Sequence, residues 1–176
     1  VKLIKANKPI VSKVYIPKFI LILVKIGVNG FKMFISLLII VAMLAVWRVP
    51  ITYNVIYIIP ILMTLIVLVF GFSCYLLHYG VFVEDLSNVL NIALRFLFYL
   101  TGIFWSIMDR LPAPYNSYIG RCNPIAFLLT SARDCVIYGS TPHRKLLLLW
   151  FVIGLIISAL GVRKIYKNEN SYVKVI

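Results

Sequence analysis

LLLLWFVIGLIISALGV, residues 146–162, carries no charge, and Arg163, Lys164 and Lys167 follow it at once. At 1.5 Å per residue such a run nearly crosses about 30 Å of hydrocarbon, and the cations that close it suit the headgroup layer. Residues 19–47, 55–79 and 89–108 repeat the pattern upstream, each dominated by Ile, Leu, Val and Phe. Four apolar runs in a chain of 176 residues predict an all-α, polytopic membrane helix bundle with about four transmembrane helices.

The bulk composition agrees. Hydrophobic residues make up 62% and charged residues 13% of the chain, and mean hydropathy is +1.01, whereas soluble domains carry about 25% charged residues. Lys and Arg number 18 against 5 Asp and Glu, a formal net charge of +13. In a soluble protein that excess would raise nucleic acid as a partner. Here no basic, aromatic-interleaved soluble domain exists to hold one, and cations at the cytoplasmic flanks of membrane spans explain the charge, so no nucleic acid is expected. Cys74, Cys122 and Cys135 lack metal-ligand spacing and define no disulfide framework. Free thiols are the expectation, with a Cys122–Cys135 pair the alternative.

Residues 1–18, VKLIKANKPIVSKVYIPK, hold five lysines among apolar residues, and Pro9 and Pro17 prevent one continuous helix. The mixture fits a cytoplasmic headgroup boundary, where lysine stems lie along the apolar layer while the ammonium stays wet. Lys18, Lys25 and Lys32 recur at intervals of seven along one face of the first span. Two readings follow: a cationic stripe facing the path of a phosphate-bearing substrate, or lysines that snorkel to the interface, which the cost of buried charge favours. Arg48-Val49-Pro50 ends that helix, Tyr53 and Tyr57 suit a membrane boundary, and Pro60 predicts a kink early in the second span.

The loop 80–88, GVFVEDLSN, contains Glu84 and Asp85, and Asp85 or Ser87 is placed to cap the third span. Arg95, a turn or two into that span, reads more readily as a snorkelling cation or a partner of Glu84 or Asp85 than as a functional group. Residues 109–145 are polar and turn-rich. Within them Asn123-Pro124 reads as an N-cap with proline in the first turn, and Gly139 as a stop. The segment 123–139 is then a re-entrant or interfacial helix, too short to span and too apolar for water. With both termini cytoplasmic, eleven cations lie inside and six outside, and Arg95 completes the eighteen. The corresponding organisation is 1–18 as a cytoplasmic or interfacial segment, 19–162 as the transmembrane domain and 163–176 as a cytoplasmic tail.

No G-x-x-x-x-G-K-[ST] loop occurs, so the chain itself has no phosphate cradle for ATP, and no HExxH or zinc-spaced cysteine pair is present. His78 and His143 fall at opposite expected faces. Glu84 and Asp85 sit on one loop, with Asp109 and Asp134 on the other side, which is a poor arrangement for acid–base work at one depth. A membrane-embedded transferase or phosphatase of envelope lipid precursors is therefore the alternative reading, and a non-catalytic membrane scaffold a third.

Four stretches carry a resemblance to a known family. LIKANKPIVSKVYIPKFIL (3–21) resembles the cytoplasmic coupling stretch of the permeases of ABC exporters for O-antigen, capsule and teichoic acid. HYGVFVEDLSNVLNIALRFLFYLTGIFWSI (78–107) is similar to the family's short cytoplasmic loop and fifth span, with Asp85 at the loop aspartate and Glu84 where an arginine is frequent. LPAPYNSYIGRCNPIAFLLTSARDCVIYG (111–139) resembles the outer segment that dips back as two short helices, including Asn123, Pro124 and Arg133. LGVRKIYKNENSYVKVI (160–176) resembles the last helix and tail.

What the resemblance implies is a transport subunit rather than an enzyme, with no cofactor bound by this chain and ATP on a separate ABC-type ATPase subunit. It further implies a second copy of the permease, a lipid-linked glycan or polyol phosphate as substrate, and a bacterial cytoplasmic membrane as location. Family members have six spans, so a chain opening on Val1 is expected to start just after the second. The docking candidates are Lys8, Lys13, Pro17, Lys18, Glu84 and Asp85. Hydroxyl-rich polymers slide over aromatic faces, which makes Tyr99, Phe104, Trp105 and Tyr115 candidates for a gate or lining; an ordinary interfacial aromatic belt is the plain alternative.

Overall fold

The structure is a computed structural model that describes residues 17–48, 52–83, 85–103, 112 and 115–168. Within them lie α1 (Lys18–Val46), a 3-10 turn (Tyr53–Tyr57) leading into α2 (Ile58–Phe82), α3 (Leu86–Leu100), α4 (Tyr115–Cys122), α5 (Pro124–Val136) and α6 (Arg144–Lys167). The fold class is an all-α membrane helix bundle. Lys18–Val46, Tyr53–Phe82 and Arg144–Lys167, with 29, 30 and 24 residues, are long and apolar enough to cross a bilayer. Their outward apolar side chains, such as Phe31 at 67% exposure and Leu148 at 65%, need lipid as the solvent.

α1 begins directly after Pro17 and ends where Trp47 caps it, and Arg48 turns the chain with φ 51°. The following Val49-Pro50 disfavours further helix in any case. Pro60 does not interrupt an established helix. The segment starts as a 3-10 turn and becomes α-helical at Ile58, which puts Pro60 in the first α turn. There a missing N–H costs least.

α3 falls short of the expected limit of Met108. Its helical geometry stops at Leu100, and Gly102 follows with φ 65°. Fifteen residues cover about 22 Å, less than a full crossing; residues 104–108 lie outside the described ones. Thr101 donates its hydroxyl back to the Leu97 carbonyl at 2.5 Å, closing the last turn.

The chain divides into two compact units. One comprises Val1–Val49, Ile66–Ser87 and Gly154–Ile176, the other Pro50–Leu65 and Asn88–Ile153, so α2 and α6 each contribute to both.

In the first unit, the start of α1 packs against the C-terminal halves of α2 and α6. Ile22, Cys74, Leu77, Val81 and Ile165 form its core, with Phe19, Phe70 and Val162 against them. A seam of small residues sets the approach of α2 to α6. A Cβ placed at Gly161 would meet the Cys74 Cβ at 2.7 Å, and one at Gly71 would meet the Ser158 Oγ at 2.9 Å. Ser158 donates to the Val67 carbonyl at 3.0 Å. Lipid tails are as apolar as leucine, so contact of this closeness, rather than hydrophobicity, is what holds helices together in a membrane.

The second unit is pinned by polar groups. α4 and α5 form a hairpin, and α5 packs on the 3-10 turn, burying Ala126, Phe127, Leu128, Ser131 and Cys135. Gly139, with φ 61°, lies so close to Thr52 that an added Cβ would sit 2.8 Å from its Oγ1. The amide of Asn54 donates to the Gly139 carbonyl. Side chains thus take up backbone groups that no helix satisfies.

Candidate functional site

The proposed docking residues sort by unit. Lys8, Lys13 and Glu84 lie outside the described residues. Pro17 precedes α1, and its carbonyl accepts the Ile20 N–H at 3.0 Å. Lys18, the first residue of α1, is 4% exposed. Asp85 is exposed and stands immediately before α3, at the cap position, while Ser87 falls inside the helix. Pro17, Lys18 and Asp85 belong to one unit.

The three lysines spaced along α1 do not share an environment. Lys18 is buried, whereas Lys25 and Lys32 are exposed, so burial divides the stripe that their spacing draws. A fourth cation of the same unit, Lys164, has a partner that the sequence did not reveal. The Lys164 ammonium is 2.7 Å from the Tyr79 hydroxyl, lies 4.3 Å from that ring's centroid and 5.5 Å from the Tyr75 ring. Only the pairing of α2 with α6 brings a residue in the 160s to one in the 70s. Phe19 lies against Tyr166 with ring centroids 5.5 Å apart and planes tilted by 47°, which fixes the start of α1 beside the end of α6.

Of the gate candidates, Phe104 and Trp105 lie outside the described residues, and Tyr115 is the first residue of α4. Tyr99 is 71% exposed, edge-on to Phe98 with centroids 5.7 Å apart.

Asn123 caps α5: its side-chain oxygen accepts from the Ile125 N–H at 3.1 Å and the Ala126 N–H at 3.3 Å, with Pro124 in the first turn. The helix runs Pro124–Val136, inside the expected bracket, and α4 precedes it as the other arm of the hairpin. Arg133 has a role that its position alone did not reveal. Its guanidinium donates to the Gly102 carbonyl at 3.0 Å and also to the Ile103 carbonyl. These oxygens lie just past the end of α3, among the carbonyls a helix leaves unpaired at its C-terminus. Arginine's planar fork reaches two acceptors at once, so the α4–α5 hairpin and the end of α3 are tied by one side chain.

Titratable groups around the hairpin are few. Burial raises the Asp134 carboxyl above its usual range, and His143 partly offsets the rise. Burial, and then the Asp134 charge, raise the Cys135 thiol. Cys122 is exposed, Cys74 and Cys135 are buried, and all three are free thiols, so Cys122 and Cys135 do not pair. Among the described residues no three His, Cys, Asp or Glu side chains converge as metal ligands.

No family profile matches the chain, and no solved structure matches it. Two curated proteins of Klebsiella pneumoniae do, both named O-antigen export system permease protein RfbA. Each is 23% identical over 172 residues, which is 97% of this chain and 65% of the relative. The chain thus spans about two thirds of the length of the curated relatives it matches.

Proposed function

We propose that this chain, a distant relative of O-antigen export permeases along almost its whole length, is the membrane-spanning subunit of an ATP-driven exporter that moves a lipid-linked polysaccharide or polyol phosphate across the bacterial cytoplasmic membrane. The observation that carries the reading is that similarity over 97% of the chain joined to three helices of spanning length. ATP binds a separate ABC-type ATPase subunit, two permease copies form the path, and both termini of this chain face the cytoplasm.

The docking surface is the first unit, where residues 1–17 lead into α1 over a buried Lys18 and the exposed Asp85 stands immediately before α3. A contact that transmits force needs short elements anchored in a packed core; Ile22 anchors the start of α1, and Leu77 and Val81 anchor the end of α2 that leads to Asp85. A cationic stretch, residues 1–18, and the anionic Glu84-Asp85 offer charges of both signs to a partner. On the outer side, Tyr99, Phe104, Trp105 and Tyr115 supply aromatic faces to a sliding glycan, and Asn123, Pro124 and Arg133 build the hairpin and hold it to the end of α3.

Export is tested in cells lacking their own permease, with the protein expressed in its natural reading frame beside its ATPase and surface polymer measured by immunoblot. Phe104→Ala with Trp105→Ala is expected to impair export with membrane insertion intact; undiminished polymer from that variant removes the gate. Asp85→Lys is expected to weaken co-purification of the ATPase. Cysteines placed at Lys5 and Lys167 are expected to react with impermeant reagents only after the cells are opened, and labelling of intact cells overturns the orientation.

A further inference from the structure

Two neighbouring concavities in the second unit share one residue, Arg144. The first, about 310 Å³, is lined by Arg121, His143, Arg144, Lys145 and Leu146. The second, about 470 Å³, is an apolar groove between the beginnings of α2 and α6, walled by Tyr57, Met63, Leu147, Leu148 and Phe151 with Arg144 at its edge. Arg144 is held between the two, its guanidinium carbon 5.1 Å from the Tyr57 ring centroid.

Each half alone is ordinary. Cations gather at the start of many membrane helices, and grooves between helices face lipid. Joined through one anchored arginine, they match a molecule with an anionic head and an apolar chain. Asp134, the one acid among the described residues of this unit, has His143 as the charge beside it, and Arg121, Arg144 and Lys145 are the cations of the head site. All three are exposed, and guanidinium groups match phosphate oxygens bidentately. A soluble anion leaves the groove empty; a neutral lipid leaves the cations unanswered.

We propose that this corner of the second unit binds one anionic phospholipid, its phosphodiester on Arg121, Arg144 and Lys145 and an acyl chain along the groove from Tyr57 to Phe151. The inference needs the chain to lie in a bilayer and is independent of what the protein transports. A lipid held there ties the start of α6 to the 3-10 turn, adding attraction where helix packing supplies little.

The test uses the full protein reconstituted in bilayers of equimolar phosphatidylglycerol and phosphatidylcholine, extracted gently and analysed by native mass spectrometry for retained lipid. Phosphatidylglycerol is expected in at least ~tenfold excess, since each interfacial cation contributes about fivefold. Arg121→Gln/Arg144→Gln/Lys145→Gln is expected to bring the ratio near parity, whereas Arg163→Gln/Lys167→Gln, beyond the site, leaves it unchanged. Equal reduction by both variants identifies general surface attraction and overturns the site. Met63→Trp, which fills the groove, is expected to lower the amount of retained lipid. Displacement of the lipid by millimolar inorganic phosphate reveals a bare anion site and also overturns the proposal. Where the triple variant does not fold, Lys145→Gln alone is read, with a ~fivefold smaller excess expected and an unchanged ratio refuting the lipid site.

Discussion

The two units solve one problem by opposite means. In the first, α2 and α6 touch through glycines and a serine, and a single methyl group at Gly161 would sit 2.7 Å from the Cys74 Cβ. In the second, the chain leaves helical geometry at Thr101–Ile103 and again around Gly139, and specific donors, Arg133 and Asn54, take up the freed carbonyls. Continuous helices satisfy their own backbone, so they need only shape to associate in lipid. Where helices end near the membrane, each open carbonyl needs a named partner. One region is therefore sensitive to volume and the other to polar chemistry.

This contrast breaks most sharply at Gly161. Gly161→Leu is expected to cost about 3 kcal/mol or more, because the seam cannot admit the side chain without separating the helices. Thermal unfolding of the purified protein in detergent measures it, and near-wild-type stability shows that shape does not govern the first unit. A smaller loss is expected for Arg133→Ala, about 2 to 3 kcal/mol, as two carbonyls lose a charged donor. Arg133→Lys restores only part of it, since an ammonium lacks the planar fork. Equal stability of the lysine variant and the natural protein dismisses the two-acceptor geometry.

Smaller again is Asn123→Ala, expected to cost about 1 kcal/mol through loss of the α5 cap, with Asn123→Ser near neutral. Asp134 has the least effect and the opposite sign. Its folded-state pKa is raised by burial, so the fold retains the proton more tightly than the unfolded chain. Stability is then greatest below the ordinary carboxylate pKa and falls as pH rises through the interval up to the folded value. Asp134→Asn is expected to remove that decline and slightly stabilise the protein at neutral pH, as a pH series of unfolding temperatures reveals; an unaltered pH profile excludes the burial argument.

Much of the second unit was legible from local signals. Asn123-Pro124 announced a capped helix and Gly139 its stop, because both depend on residues a few positions apart. Arg133 was marked only by resemblance. Its acceptors lie about thirty residues upstream, and no spacing rule links a guanidinium to carbonyls at that distance. α3 was less legible: the apolar run continues past Leu100, while the described helix stops there. A left-handed Gly102 follows and Arg133 takes its carbonyl, and hydropathy encodes neither.

Composition and periodicity by themselves determined that this chain is an all-α membrane protein and which segments form its long apolar helices. All of that follows from transfer free energy and backbone self-satisfaction, which are properties of contiguous segments. Tertiary structure alone decided that Lys18 is buried while Lys25 and Lys32 are exposed, that Lys164 meets Tyr79, that Gly71 and Gly161 line a seam, and that Arg144 joins a cationic pocket to an apolar groove. Those are relations between residues far apart in the chain, and only helix packing brings them within contact distance.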